Sequence, residues 1–322
     1  MVKICFHTSL ICIRGSTVAM FDYALYNKLL LGNQSIIVYP KGALNDSDAY
    51  KKFSDKFELF AYTDNEHLDR ILLKEKCDIM YCIKYGKNDG VISNTVKNVV
   101  HCVFDLSEPH GDVYAAVSST LAKKYNYPLY VPHMVGLKPS ITKENLRIEL
   151  NIPKDAIVFG RHGGLDTFDL QFAREVIINT VLSRKNIYFV FVNTPIFFKH
   201  PQIIFINKIV DINLKNKFIN TCDAHIECNS LGHSFGISIG EFSVNNKKII
   251  AYNPDGWMWN RAHIEILGDN ALYYKDVNEF HNILMNFNPN DWIDKDNNFY
   301  KDYSPEKVMK IFKQVFIDPC ID

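Results

Sequence analysis

Short runs of β-branched and aromatic residues alternate with longer stretches whose apolar side chains recur at helical spacing. This alternation predicts parallel β-α-β units. Val2–His7 reads as the first strand and Gly15 and Ser16 as a loop. Val18–Leu31 reads as a helix that Gly32 and Asn33 stop. Ser35–Tyr39, Asp78–Ile83, Asn98–Phe104, Val113–Val117 and Pro128–Val131 continue the strand series, with helices between some of them. The pattern breaks at Gly136 and Pro139, which predicts a hinge within Val135–Ser140. A second series then begins. Its expected strands are Asp155–Gly160, Ile187–Asn193, Gln202–Ile206, Ala224–Cys228, Lys247–Tyr252 and Ala271–Tyr274. Its expected helices are Phe168–Leu182, Leu214–Thr221 and Gly236–Asn245. The polar stretch Asn286–Tyr303 reads as a surface loop, and Pro305–Phe316 as a last amphipathic helix. The fold class expected is α/β: two Rossmann-like, doubly wound domains facing a central cleft. Ligands of such sheets bind at the carboxyl ends of the strands.

Composition narrows the function classes. The chain has 322 residues, and its 36 Lys and Arg balance 36 Asp and Glu, so the formal net charge is zero. That excludes the broad basic field of a nucleic-acid binder, and any phosphate must be held by a few placed groups. No window reaches the ~18 apolar residues that a membrane-spanning helix needs. His7 and Arg14 interrupt the apolar stretches at the amino end, so no signal peptide is expected there. The eight cysteines form no C-x-x-C pair, which favours a reduced, cytoplasmic setting over a disulfide framework. The eleven histidines form no H-E-x-x-H motif, so no metal site is expected.

Two windows carry candidate chemistry. In Ala224–Tyr252, AHIECNSLGHSFGISIGEFSVNNKKIIAY, a strand runs into a loop and then a helix expected to begin at Gly236. Amides at Ser234, Phe235, Gly236 and Ile237 would point out of that helix start and favour an anion. Glu241, further along the helix, would accept ribose hydroxyls; a turn glycine and a solvated acid are the competing reading. In Asn151–Phe168, NIPKDAIVFGRHGGLDTF, Arg161 follows a buried strand and precedes Gly163 and Gly164. A guanidinium there suits bidentate phosphate binding, and a surface Arg at a tight turn suits the pattern equally.

Together the windows resemble retaining glycosyltransferases of the GT-B fold, specifically glycosyltransferase family four. In that family a G-I-P-x-D-A-like turn precedes a strand ending in G-R, as in Asn151–Arg161. The family's S-x-x-E-G-F-G-x-x-x-x-E run resembles Ser230 to Glu241, and its P-V-I-A strand resembles Lys248–Ala251. Val117–Tyr125, VSSTLAKKY, and Val131–Val135, VPHMV, are similar to motifs of the family's first half. The resemblance implies an acceptor domain at 1–137, a donor domain at 138–303, and residues 304–322 packing back toward the first domain. It implies a nucleotide-diphosphate-sugar donor whose diphosphate meets Arg161, Gly163 and the Ser234–Gly236 amides. Glu241 would hold the ribose, and the Gly15 loop would close over donor phosphates or acceptor. No further cofactor is required. The partner would be a glycan, lipid or protein hydroxyl; no nucleic acid is expected, and peripheral membrane contact is compatible with the sequence.

The chain departs from the family pattern at three places. The family's first motif glutamate is His233 here, so His233 becomes a candidate catalytic residue. The family's second phosphate cation, about five residues after the Arg, is replaced by Asp166, and no Lys follows until Lys185. Phe104 replaces a His beside Asp105, leaving His101 and His110 nearby. His110, in a loop, is a candidate catalytic residue, whereas His101 reads first as a core histidine and His133 as a structural residue at the interdomain crossing. Trp257, Trp259 and Arg261 mark a loop that would stack on a sugar or pack on itself. The implied activity is retaining hexosyl transfer. A GT-B protein that binds nucleotide or glycan without turnover, and a GT-B epimerase, are the alternatives.

Overall fold

A computed structural model describes residues 1–139, 141–256 and 258–321. Contacts divide the chain into one unit of Met1–Gly136 with Tyr303–Asp322 and a second of Leu137–Asp302. The first unit holds strands β1 (Lys3–His7), β2 (Gln34–Pro40), β3 (Glu58–Tyr62), β4 (Ile79–Lys84), β5 (Lys97–Cys102) and β6 (Val113–Ala116). They pair in parallel in the order β3-β2-β1-β4-β5-β6. Its helices are α1 (Gly15–Leu29), α2 (Ser47–Ser54), α3 (Asn65–Lys74) and α4 (Ser119–Lys124).

The second unit holds β7 (Ile157–His162), β8 (Ile187–Val192), β9 (Ile203–Ile206), β10 (Ala224–Glu227), β11 (Gly232–His233), β12 (Lys248–Tyr252), β13 (Asn260–Arg261) and β14 (Leu272–Tyr274). Its main sheet runs β14-β12-β10-β7-β8-β9. Leaving out the separate pair β11 and β13, this is the strand order of the first unit again. Its helices are α5 (Gln171–Ser183), α6 (Ile212–Thr221), α7 (Ile237–Val244), α8 (Ala262–Leu267) and α9 (Val277–Asn286). Both units are Rossmann-like, as the alternation of short apolar runs and helical stretches indicates.

The strands form because they are buried on both faces and read as near-continuous apolar runs. In β7 and β8, Phe159, Phe189 and Phe191 are fully buried and stack within one core with Phe168, Val176 and Phe280. Side-chain caps start several helices: Asp46, Asp64, Ser118, Asp211 and Asp276 each accept a hydrogen bond from a first-turn amide, worth about 1 kcal/mol apiece.

α10 (Pro305–Phe312) packs within the first unit, where Phe312 stacks on Tyr23 and Phe316 meets the His101 ring edge-on. It runs on as a π-helical turn, Lys313–Ile317, and a short helix, Asp318–Ile321. Among the described residues no helix is long and apolar enough to cross a membrane.

Several local expectations need correction. Pro128–Val131 makes a single bridge, Ala116 to Tyr130, and no strand, because Pro128 and Pro132 withhold ladder donors. Gly15 is the first residue of α1 and not part of a loop; Thr17 and Val18 amides already bond the Arg14 carbonyl. The supposed surface loop Asn286–Tyr303 buries Asn297 and Tyr300, since both side chains find backbone partners inside the second unit. Ser140, in the expected hinge, and Trp257 lie outside the described residues.

Candidate functional site

The candidate site of the second unit lies at the carboxyl ends of β7 and β10. Parallel pairing sets Ala224 beside Phe159 and His225 beside Gly160. The chain beyond this register brings Arg161, His162 and Glu227 to one sheet edge. All four β10 residues are buried, so its two polar ones need partners within the protein.

Among the described residues Arg161 is the largest fully buried side chain, 1% exposed. Its Nη1 donates to Thr194 Oγ1 at 2.6 Å, and its Nη2 donates to the Gly164 carbonyl at 3.0 Å and to Thr167 Oγ1. Its Nε has no partner. The guanidinium lies 5.5 Å from the Phe168 ring. Burial lowers its proton affinity, which the charge of Glu227 partly restores. Gly163 makes room for this arrangement, since a Cβ there would sit 2.9 Å from Nη2. Arg161 is thus no surface residue at a turn; it is a cation seated beneath the strand ends.

Glu241, on α7, is also buried. Lys215 Nζ of α6 donates to its Oε1 at 2.8 Å, and His162 Nε2 lies 2.9 Å from Oε2, an ion-pair distance without hydrogen-bond alignment. Burial pushes this carboxyl up, but the charges of Lys215 and His162 outweigh it and hold it down at about 2. Glu241 is therefore a fixed carboxylate. His162 is itself pushed down by burial, against the pull of Glu241.

The loop between β10 and α7 is built by its own polar groups. Asn229 accepts from the Leu231 amide and donates to the Gly232 carbonyl, while Ser230 bonds Asp169 through both amide and hydroxyl. Gly232 at φ +68° has no room for a side chain, because a Cβ would meet the Asn260 carbonyl oxygen at 2.0 Å. α7 begins at Ile237, with Gly236 left-handed at φ +87° just before it and no side-chain cap. Its first amides therefore have no intrahelical acceptor and are a favourable place for an anion. Tyr300 donates to the Phe235 carbonyl at 2.9 Å and packs edge-on against its ring, which fixes this turn. Ser234 is 8% exposed. His233 sits in β11 with Nε2 3.0 Å from Glu227 Oε1.

No family model and no curated protein matches the chain. Solved structures do. A glycosyltransferase from Rickettsia africae is similar at 14% identity and TM-score 0.70, over 98% of this chain and 99% of that one. Anabaena Alr3699/HepE, solved with UDP and glucose, is similar at 12% identity and TM-score 0.70, over 98% of each chain. MnaA from S. aureus, solved with UDP, is similar at 11% identity and TM-score 0.63, over 96% of this chain and 94% of that one. The fold is GT-B. At these identities the likeness establishes the fold alone.

Among the expected site residues, Arg161, Gly163, His233, Ser234, Phe235, Gly236 and Glu241 all belong to the second unit. Gly15 and His110 belong to the first. A Cβ on Gly15 would meet nothing within 4 Å, so sterics do not demand glycine there. His110 Nδ1 lies 2.7 Å from the Glu108 carbonyl, and its ring tilts against Tyr114. His101 is a core histidine: Nδ1 meets Tyr81 Oη at 2.6 Å, Nε2 meets the Val131 carbonyl at 2.7 Å, and burial lowers its pKa to about 4. His133 is likewise buried against Tyr23 and His101. Arg261 pairs in β13 and donates to Asn253 Oδ1 at 2.7 Å, so part of the expected tryptophan loop is a short strand.

Sequence reading did not find Lys215, Thr194, Glu227 or Tyr300. Lys215 is on a different helix from the position searched for a second cation, so local spacing cannot reveal it. A buried-strand reading of Ala224–Glu227 did contain one signal: a Glu where every neighbour is inward-facing.

Proposed function

We propose that the chain is a glycosyltransferase that moves a sugar from a nucleotide-diphosphate donor to an acceptor hydroxyl with retention, as the resemblance to family four implies. The second unit is the donor domain and the first the acceptor domain. The observation that carries this reading is Glu241, a carboxylate kept ionised by Lys215 and His162 in a GT-B unit, on the helix whose uncapped start at Gly236 favours an anion. An ionised carboxylate accepts two ribose hydroxyls, and free helix amides receive diphosphate oxygens. The Anabaena structure holding UDP and glucose supports a nucleotide-sugar donor.

Retention here needs no carboxylate nucleophile. In front-face attack the departing diphosphate takes the acceptor's proton, and the protein stabilises the charge growing on that leaving group. Arg161 supplies positive potential from beneath, and the α7 amides supply direct donors. His233 and His110 are the side chains we place near the reacting groups. Among the described residues no group of three or more His, Cys, Asp or Glu side chains is arranged to hold a metal ion.

The test is release of free sugar from a panel of UDP-, GDP-, ADP- and dTDP-sugars, followed by transfer to simple acceptors. Slow hydrolysis of at least one donor, with the anomeric configuration kept in any transfer product, is the expected result. Tight nucleotide binding with no turnover on any donor would point instead to a binding protein.

A further inference from the structure

Glu227 ends β10 with its side chain 3% exposed, and no hydrogen bond reaches its Oε1. A buried carboxylate costs several kcal/mol unless positive charge lies close by. The histidine groups at ion-pair distance are His233 Nε2 at 3.0 Å and His225 Nε2 at 3.6 Å. His225 is wholly buried, and burial lowers its proton affinity against the pull of Glu227. His233 differs, because its side chain keeps 18% exposure although Nε2 is buried against the carboxylate. Of the two ring nitrogens, Nε2 is the one buried without a hydrogen bond; Nδ1 is not.

Other groups bound this pair. His263 of α8 meets the His233 ring at right angles, 5.2 Å between centroids, and burial lowers its pKa to about 3. Arg261 of β13 is the register partner of His233, with its guanidinium bonded to Asn253. Arg161 of β7 interacts electrostatically with Glu227 from the neighbouring strand. Burial pushes Glu227 up, yet the charges and contacts of His233 and His225 hold it well below the usual carboxylate range.

We propose that Glu227 is a positioning residue: its carboxylate holds His233 by Nε2, so that Nδ1 is presented to the donor's diphosphate. The inference rests on the donor-site reading above. It gives His233 a task that its place beside the anion-favouring turn at Gly236 suits, and it explains an acid at the end of a strand whose four residues are all buried. With both ring nitrogens protonated, the imidazole donates to Glu227 from Nε2 and to the diphosphate from Nδ1.

Calorimetry with UDP, GDP and ADP, carried out on the full chain, tests this. For the nucleotide bound most tightly, His233→Gln should weaken affinity about tenfold, and His233→Lys should bring it back to within about threefold of the wild type. Glu227→Gln should weaken it similarly, and the double substitution should add less than about twofold, because the two side chains act as one unit. The ring ¹⁵N spectrum of His233 in the unliganded protein should change on Glu227→Gln. Wild-type affinity in His233→Gln, or losses that multiply in the double variant, would overturn the proposal. An unchanged His233 ring spectrum in Glu227→Gln would do the same. Should Glu227→Gln not fold, the comparison of His233→Gln with His233→Lys decides alone. Absence of binding by the wild type to all three nucleotides would remove the donor-site reading and this proposal with it, whereas binding that is indifferent to His233 removes only the latter.

Discussion

Replacing Glu241 by Gln tests whether its charge is what the fold of the second unit is built around. The substitution keeps shape and leaves Lys215 and His162 facing a neutral amide. In the folded chain the carboxyl is held at about 2, against an ordinary value of 4.5. That gap is worth about 3 kcal/mol, at roughly 1.4 kcal/mol for each tenfold in proton affinity. The folded value lies below the unfolded one, so this stabilisation is fully present above pH 4.5 and drains away as pH falls toward 2. By pH 3 about 2 kcal/mol of it should be gone. Breaking a buried pair by removing one partner costs a similar amount, about 3–5 kcal/mol. Glu241→Gln should therefore unfold about 3 kcal/mol more easily than the wild type in urea at pH 7, and the difference should shrink to about 1 kcal/mol at pH 3. Equal differences at the two pH values would refute the reasoning, since they would mean that the charge of Glu241 contributes nothing.

Other outcomes follow from the same geometry. Arg161→Ala, in folded protein, should lower kcat at least about 100-fold, because charge on the leaving diphosphate grows in the transition state. Arg161→Lys should recover only part, since Lys cannot bond Thr194 and Gly164 together through one planar fork. Steady-state donor hydrolysis checks both, and near-normal kcat in Arg161→Ala would assign the diphosphate to other groups. Gly232→Ala should cost about 2 kcal/mol or more, because the new Cβ would collide with the Asn260 carbonyl; an unchanged thermal midpoint would contradict that.

The repeating strand and helix pattern was legible because parallel strands are apolar on both faces, and most of the core strands fall within a residue or two of where the pattern puts them. β3, an edge strand running from exposed Glu58 to buried Tyr62, was not among the expected strands although four of the five residues of ELFAY are apolar or aromatic. Pro128–Val131 misled because its composition is strand-like while its prolines forbid a ladder. Around the candidate site, the Gly236 turn was legible from glycine and helix signals in a single window. Lys215 and Glu227 were not: Lys215 acts through Glu241, 26 residues away on another helix, and the loop that folds His233 back onto Glu227 leaves no periodic signal. Tyr300 was hidden in a stretch whose average polarity suggests a surface.

A crystal structure grown with the nucleotide sugar that calorimetry selects is the most direct test of donor binding in the second unit. The expected result places diphosphate oxygens on the first amides of α7 and ribose hydroxyls on Glu241, with Arg161 beneath. A donor bound away from Gly236 and Glu241 would contradict it.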